Sequence, residues 1–139
     1  MFRKQNLLAT LAAFVVTFLL GYAIWGAAFA GFFEEHSLND IMKDPPDLLF
    51  IALGNLVGAF AMCSLYGKWA RGVHSFSEGF QFGAWIGVFV GFGMGLLWYG
   101  TSELTDLTGL LVEAILDIVY FGIIGGVIAL VYKKSEPKV

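Results

Sequence analysis

The chain has 139 residues, of which 58% are hydrophobic and only 14% are charged. A water-soluble domain usually carries about 25% charged residues and cannot hide so many apolar side chains, so the composition excludes an ordinary soluble fold. The formal net charge is −3 and the sequence has no tract of basic residues, which argues against nucleic-acid binding and leaves the lipid bilayer as the expected partner.

Four apolar segments each reach the roughly 20 residues that an α-helix needs to cross about 30 Å of hydrocarbon. Only helices or closed barrels cross lipid, and these segments are too long and too continuously apolar for barrel strands. The sequence therefore predicts an all-α membrane protein whose residues 1–139 form one domain, a bundle of four transmembrane helices. The predicted spans are Leu7–Phe33, Leu48–Trp69, Phe80–Tyr99 and Leu110–Tyr132.

The charges between the spans predict the orientation of the chain, since cytoplasmic connections carry an excess of Lys and Arg. Basic residues gather before the first span, in the second connection and after the last span, whereas the first and third connections are mostly acidic. Both termini are therefore expected to be cytoplasmic, and both acidic connections are expected to face outward. Seven of the eight basic residues lie in these three regions, and the eighth, Lys43, lies among the acids of the first connection; the seven are Arg3, Lys4, Lys68, Arg71, Lys133, Lys134 and Lys138.

Two short patterns predict where helices begin after these connections. Asp44, followed by Pro45 and Pro46, is typical of a cap with proline in the first helical turn, and it precedes the second span. Ser75, with Glu78 three residues later, forms a capping box before the third span. The second and third spans are thus expected to start within a few residues of these caps.

Aromatic and basic side chains near the ends of the spans predict contacts with lipid headgroups. Tyr66, Lys68 and Arg71 are expected to anchor the second span in this way. Tyr132 lies at the end of the last span, where interfacial aromatic residues are common. His74, close to Arg71, is expected to make a loop or headgroup contact.

The third span carries a glycine at every fourth position, a pattern known as a glycine zipper. Glycine costs about 1 kcal/mol relative to alanine in a helix, and in membranes small residues allow helices to approach closely. Each four-residue step drifts about 40° around an α-helix, so no single straight neighbour is expected to contact all five glycines. Gly122 and Gly126 offer a matching face on the fourth span, as do Gly54 and Gly58 on the second. The ladder consists of Gly79, Gly83, Gly87, Gly91 and Gly95.

Polar residues inside the apolar segments are the candidate functional residues. Asp117 lies within the fourth span, where an acid costs roughly 2.5–3.5 kcal/mol on insertion scales and indicates a function by default. Glu113 and Tyr120 share its helical face, and this face is expected to turn into the bundle. Asn55 lies at a similar depth in the second span and is the expected hydrogen-bond partner of Asp117.

Two hypotheses account for these residues. In the first, Asp117 and Glu113 form the floor of an outward-opening acidic pocket that suits a proton, a cation or a cationic small molecule. In the second, Asn55 and Asp117 simply join two helices, an interaction worth about 0.6–2 kcal/mol. The residues expected around the mouth of such a pocket are Glu34, Glu35, His36 and Glu103.

The same observations define the expected function. No spacing typical of a metal site or of a catalytic nucleophile and base occurs, so we expect no metal, no cofactor and no enzymatic activity. The acidic residues favour a membrane protein that binds or moves a proton, a cation or a small cationic solute. The alternative is a non-catalytic accessory subunit, which would form a homo-oligomer or join a larger membrane complex through its glycine faces.

Three local features resemble a family of small four-span bacterial membrane proteins that is defined by a domain of unknown function. The resemblance implies a four-helix fold in the bacterial inner membrane, and it implies no activity. The features are Trp25 and Gly26 late in the first span, Gly83 and Gly87 in the third, and Asp117, Tyr120 and Gly125 in the last.

Overall fold

A computed structural model of the chain describes residues 3–135. Within this range the protein is helical and has four helices that are long and apolar enough to span a membrane, which confirms the predicted class. In chain order, the elements are α1 (Lys4–Gly21), a first π segment (Tyr22–Ala28), α2 (Ala30–Glu35), α3 (Leu48–Trp69), α4 (Phe76–Gly87), a second π segment (Val88–Met94), α5 (Gly95–Thr101) and α6 (Leu107–Lys134).

The first and third candidate spans each combine α-helical and π-helical turns. The first span covers Lys4–Ala28 and the third covers Phe76–Thr101. The apolar run predicted as one span over Leu7–Phe33 is divided, because the backbone leaves helical geometry at Phe29 before α2 begins. The π turns matter for packing, since they change which residues lie on one face of a span.

Side chains cap the helices that follow the first two connections. The side chain of Ser75 accepts a hydrogen bond from the backbone N–H of Glu78 at 3.1 Å, so the predicted capping position is confirmed. The second span is capped by Asp47, whose carboxylate accepts from the N–H of Phe50 at 3.3 Å. The prediction of a cap at Asp44 is therefore wrong, because a better-placed acceptor stands directly before the apolar run.

The third span packs along α6 with the two backbones almost in contact. A Cβ atom added at Gly83 would overlap the carbonyl oxygen of Phe121, and one added at Gly79 would overlap that of Gly125. Any side chain at these two positions would push the helices apart. The other ladder glycines follow the same order along α6: Gly87 lies opposite Asp117 and Ile118, Gly91 opposite Ala114, and Gly95 opposite Leu110.

All five glycines thus contact one helix. The prediction that no single straight neighbour would do so assumed α-helical geometry along the whole span, and the second π segment removes that assumption. A π turn closes at i+5 rather than i+4, so a four-residue step there falls short of a full turn, whereas in an α-helix it overshoots by about 40°. The steps from Gly87 to Gly91 and from Gly91 to Gly95 pass through the second π segment. In these two steps the glycines fall short of a full turn, and this offsets the overshoot that accumulates over the α-helical steps between Gly79 and Gly87.

α6 is the central helix, because its two sides pack against different spans. One side carries Tyr120, whose hydroxyl donates a hydrogen bond to the carbonyl oxygen of Thr17 on α1 at 3.0 Å. The other side meets the ladder and two aromatic rings of α4. In these ring contacts Gly122 lies against Phe80, and Gly126 lies against Phe76.

α3 packs into the bundle along one half of its length. Its buried residues are Ala59, Met62, Cys63 and Tyr66, all in the half that ends at Trp69. We call residues 48–58 the unpacked half of α3. At Gly54 and Gly58 an added Cβ would meet no other atom within 4 Å in the described part of the chain, so the glycine face expected on this span contacts no helix there.

The charged residues gather at opposite ends of the bundle. At the basic end, the side-chain amide of Gln5 donates a hydrogen bond to the carbonyl oxygen of Ser135 at 2.9 Å, so the start of α1 lies beside the end of α6. At the acidic end, the connections that follow α2 and α5 meet, and Ser37 pairs with Thr105 in a short antiparallel bridge. The described basic residues of this end are Arg3, Lys4, Lys68, Arg71, Lys133 and Lys134, and Glu78 is an acid at the same end.

The close packing predicts the effect of a single methyl group. Gly83→Ala is expected to lower the free energy of unfolding by about 1–3 kcal/mol, the usual cost of overpacking, because the methyl group would overlap the Phe121 carbonyl oxygen. Gly54→Ala is the matched control, since this methyl group enters open space and alanine favours a helix. Denaturation of both variants in detergent, followed by circular dichroism, measures the difference. Equal stability of the two variants would contradict the packing.

Candidate functional site

Asp117 lies about 15 Å along α6 from Leu107, the first residue of that helix, and so near the middle of the span. Only 9% of its surface is exposed. Glu113 and Tyr120 lie on the same face of α6, which we call the acid face, and the bond from Tyr120 to Thr17 turns this face toward α1. The structure therefore brings three of the predicted site residues together on the inside of the bundle.

Asp117 has no basic partner in this position. Within residues 3–135 no Lys or Arg side chain forms an ion pair with it, since the basic residues lie at helix ends and in connections. The other acid of this face is Glu113, one helical turn closer to the acidic end and half-buried. Two acids on one face within an apolar bundle favour a bound proton or cation, because an uncompensated charge is costly there.

Trp25 adds an unpaired donor next to the acid face. Its ring packs edge-on against that of Tyr120, with the centroids 5.0 Å apart. The indole N–H is buried and has no hydrogen-bond partner among the described residues. Trp25 belongs to the first π segment, and Gly91 of the second lies against Ala114 on α6. Two π segments, which are rare and frequent at functional sites, thus flank the stretch of α6 around Asp117.

Asn55 does not join this cluster. It lies half-buried on the unpacked half of α3, and no hydrogen bond connects it to Asp117 within residues 3–135. The expected pairing is absent from this structure because α3 reaches the other helices through its opposite half, from Ala59 onward.

The residues expected around the mouth of a pocket lie at the acidic end. Glu34 and Glu35 are exposed in the last turn of α2, and Glu103 is exposed in the connection before α6. His36 is engaged elsewhere, because its Nδ1 lies 2.7 Å from Oδ2 of Asp106. No group of three or more His, Cys, Asp or Glu within residues 3–135 is placed to hold a metal ion.

Asp106 joins the two acidic connections to the first turn of α6. Its carboxylate accepts a hydrogen bond from the backbone N–H of Gly109 at 2.7 Å and also contacts His36. The Gly109 bond and then the His36 side chain lower the pKa of Asp106 below its usual value, because both favour the ionised carboxylate. The acidic end is therefore held together by a capping charge that sequence analysis did not single out.

A second group of buried polar side chains lies near the basic end. The hydroxyl of Tyr132 is 3.0 Å from Oδ1 of Asn6 and 3.0 Å from the carbonyl oxygen of Cys63. The side-chain amide of Asn6 donates to Oγ of Ser64 at 3.2 Å. These bonds connect α1, α3 and α6 at one point, where polar contacts between helices replace contacts with water.

Tyr66 and His74 extend this group. Tyr66 is fully buried, and its hydroxyl lies 3.0 Å from Nδ1 of His74. The ring centroids of Tyr66 and Tyr132 are 5.2 Å apart, and those of His74 and Tyr132 are 5.4 Å apart. The headgroup contact predicted for Tyr66 is therefore wrong, because its side chain is buried against Tyr132. His74 contacts both rings from the connection before α4, which agrees with the loop contact expected as one of its two possibilities.

One signal in the sequence points to this buried group. Asn6, Thr10 and Thr17 are the polar side chains on one face of an otherwise apolar helix, and all three are buried. The hydroxyls of both threonines donate to backbone carbonyls one turn earlier, at 2.7 Å for Thr10 and 2.8 Å for Thr17. A polar stripe in the first span thus marks the face that packs against α3 and α6.

Comparison with protein-family models, with curated proteins and with solved structures finds no match. The resemblance to small four-span bacterial membrane proteins accordingly stays a prediction.

The bonds of Tyr132 predict the effect of removing one hydroxyl. Tyr132→Phe is expected to lower the free energy of unfolding by about 0.6–2 kcal/mol, because Asn6 and the Cys63 carbonyl oxygen lose a buried partner. Tyr99→Phe, at an exposed position, is the matched control and should leave stability unchanged. Chemical denaturation in detergent compares the two. A loss confined to Tyr99→Phe, or no loss in either variant, would contradict the buried network.

Proposed function

We propose that this protein is an integral membrane protein that binds a proton or a small cation at Asp117, with Glu113 as the second acid of the site. The observation that carries the proposal is the burial of Asp117 near the middle of α6 without a basic partner in the described part of the chain. Acids in this position mark ion sites and proton relays in membrane proteins.

The surroundings of Asp117 support this proposal. Tyr120 fixes the acid face to α1, and on this face Asp117 is buried and Glu113 is half-buried. The buried indole N–H of Trp25 has no protein acceptor among residues 3–135, and an unsatisfied buried donor indicates a place for water or solute. A hydrated cation or a proton relayed by water suits both groups.

The charge distribution supports a location for the protein. We propose that both termini lie in the cytoplasm, because the basic end carries the Lys and Arg excess that is typical of cytoplasmic loops. The acid face then lies on the half of α6 that begins at the outer surface. The resemblance noted for Trp25, Gly83 and Tyr120 extends this proposal to the bacterial inner membrane.

Flux measurements in liposomes test the role of Asp117. Asp117→Asn is expected to abolish proton or cation flux driven by an ion gradient, because the amide keeps the shape of the side chain but carries no charge. Asp40→Asn is the matched control, since it makes the same change at an exposed acid of the first connection, and its flux should equal that of the wild type. Internal pH-sensitive and cation-sensitive dyes report the flux. Equal flux in wild type and Asp117→Asn would overturn the proposal.

The unpacked half of α3 favours a second candidate function, that of a non-catalytic subunit that forms a homo-oligomer. The five glycines of the ladder are already in contact with α6, whereas Gly54 and Gly58 have open space around them. Asn55 lies half-buried on the same helical turns, and polar side chains of this kind form hydrogen bonds between membrane helices. Close approach of two copies along this half would use both features.

The oligomeric state tests this second candidate. Gly58→Leu is expected to convert a dimer into a monomer, because the leucine side chain would prevent close approach of the helices. Gly100→Leu also adds a leucine where nothing lies within 4 Å, but on α5, and should leave the dimer intact. Size-exclusion chromatography with light scattering in detergent gives the mass. A monomeric wild type, or a dimer in Gly58→Leu, would contradict this function.

A further inference from the structure

A groove of about 650 Å³ lies between the start of α1 and the end of α6, at the basic end of the bundle. The hydrogen bond from the Gln5 amide to the Ser135 carbonyl oxygen, at 2.9 Å, ties the two helix ends together beside it. The groove contains none of the residues of the acid face, so what binds there is separate from the function proposed for Asp117.

The outer part of the groove is positively charged. Lys4 and Lys134, one from each helix, line it and are exposed. Within residues 3–135, neither ammonium group forms an ion pair with a carboxylate. Lysines at the ends of membrane helices extend toward the headgroup layer, so both charges lie where lipid phosphates are found.

The deeper part of the groove is apolar. Leu8 lies one helical turn beyond Lys4 along α1, and Leu130 lies one turn before Lys134 along α6. Val127 continues the same wall toward the middle of the membrane. Because charge and apolar surface follow one another along both helices, the groove has a cationic entrance and a hydrocarbon wall.

We propose that this groove binds an anionic phospholipid, with its phosphate between the ammonium groups of Lys4 and Lys134 and an acyl chain against Leu8, Val127 and Leu130. A phosphate group complements the paired lysines, and basic pockets between transmembrane helices are known to hold anionic headgroups. Inorganic phosphate would leave the apolar wall without a ligand. The acyl chain of a zwitterionic lipid would cover the apolar wall, but its headgroup carries an ammonium group that the two lysines repel.

Lipid retention on the wild-type protein is the first test. The protein is purified in detergent, incubated with equal amounts of phosphatidylglycerol and phosphatidylcholine with the same acyl chains, and examined by native mass spectrometry. We expect phosphatidylglycerol to be retained about thirtyfold more than phosphatidylcholine, as two lysine contacts of about 1 kcal/mol each would produce. Excess inorganic phosphate should not displace it. Equal retention of the two lipids, or displacement by phosphate, would overturn the proposal.

Paired variants locate the binding site. Lys4→Gln with Lys134→Gln should remove the preference for phosphatidylglycerol, whereas Lys68→Gln with Lys133→Gln removes the same charge from the basic end but outside the groove and should keep it. Val127→Trp should lower retention of both lipids by filling the apolar wall, and Val119→Trp, at an exposed position of α6 outside the groove, is its control. Loss of the preference in both lysine pairs would indicate nonspecific attraction and refute this site.

Discussion

The contact between the backbones of the third span and α6 is the constraint on which the rest of the structure depends. In a bilayer the helices gain little from hiding apolar side chains from water, so close van der Waals packing has to hold them together. The absence of side chains at Gly79 and Gly83 allows that approach, with the carbonyl groups of Gly125 and Phe121 directly opposite. Once one side of α6 is used in this way, its other side, with Asp117 and Tyr120, is left for α1.

Much of the fold follows from the sequence, because hydrophobic length decides how many helices can span a membrane. The cap at Ser75 was also predictable, because the hydrogen bond from the Glu78 N–H to the Ser75 hydroxyl joins residues only three apart in the sequence. The π segments were not, because the hydrogen-bond register of a helix in lipid depends on the neighbour that packs against it. For the same reason the sequence gives no sign that the buried residues of α3 begin only at Ala59.

The candidate site was predictable in part. Helical periodicity alone places Glu113, Asp117 and Tyr120 on one face, and that face turns inward as expected. Whether a residue of another helix meets this face depends on the tilt and register of that helix. The depth of Asn55 in its span was therefore a poor guide to whether it contacts Asp117. Tyrosines near helix ends are equally common at headgroups and in buried polar clusters, and only the packing partners assign Tyr66 and Tyr132 to the latter.

The arrangement of contacts has a consequence for how the protein is made. The most extensive contacts join helices that are neighbours along the chain, the third span with α6 and α1 with α3, and the bonds of Tyr120 and Tyr132 then join the two hairpins. Each hairpin can form as soon as its second helix leaves the ribosome. α1 contacts α6 about as extensively as it contacts α3, so its contacts are complete only when the last helix has been made.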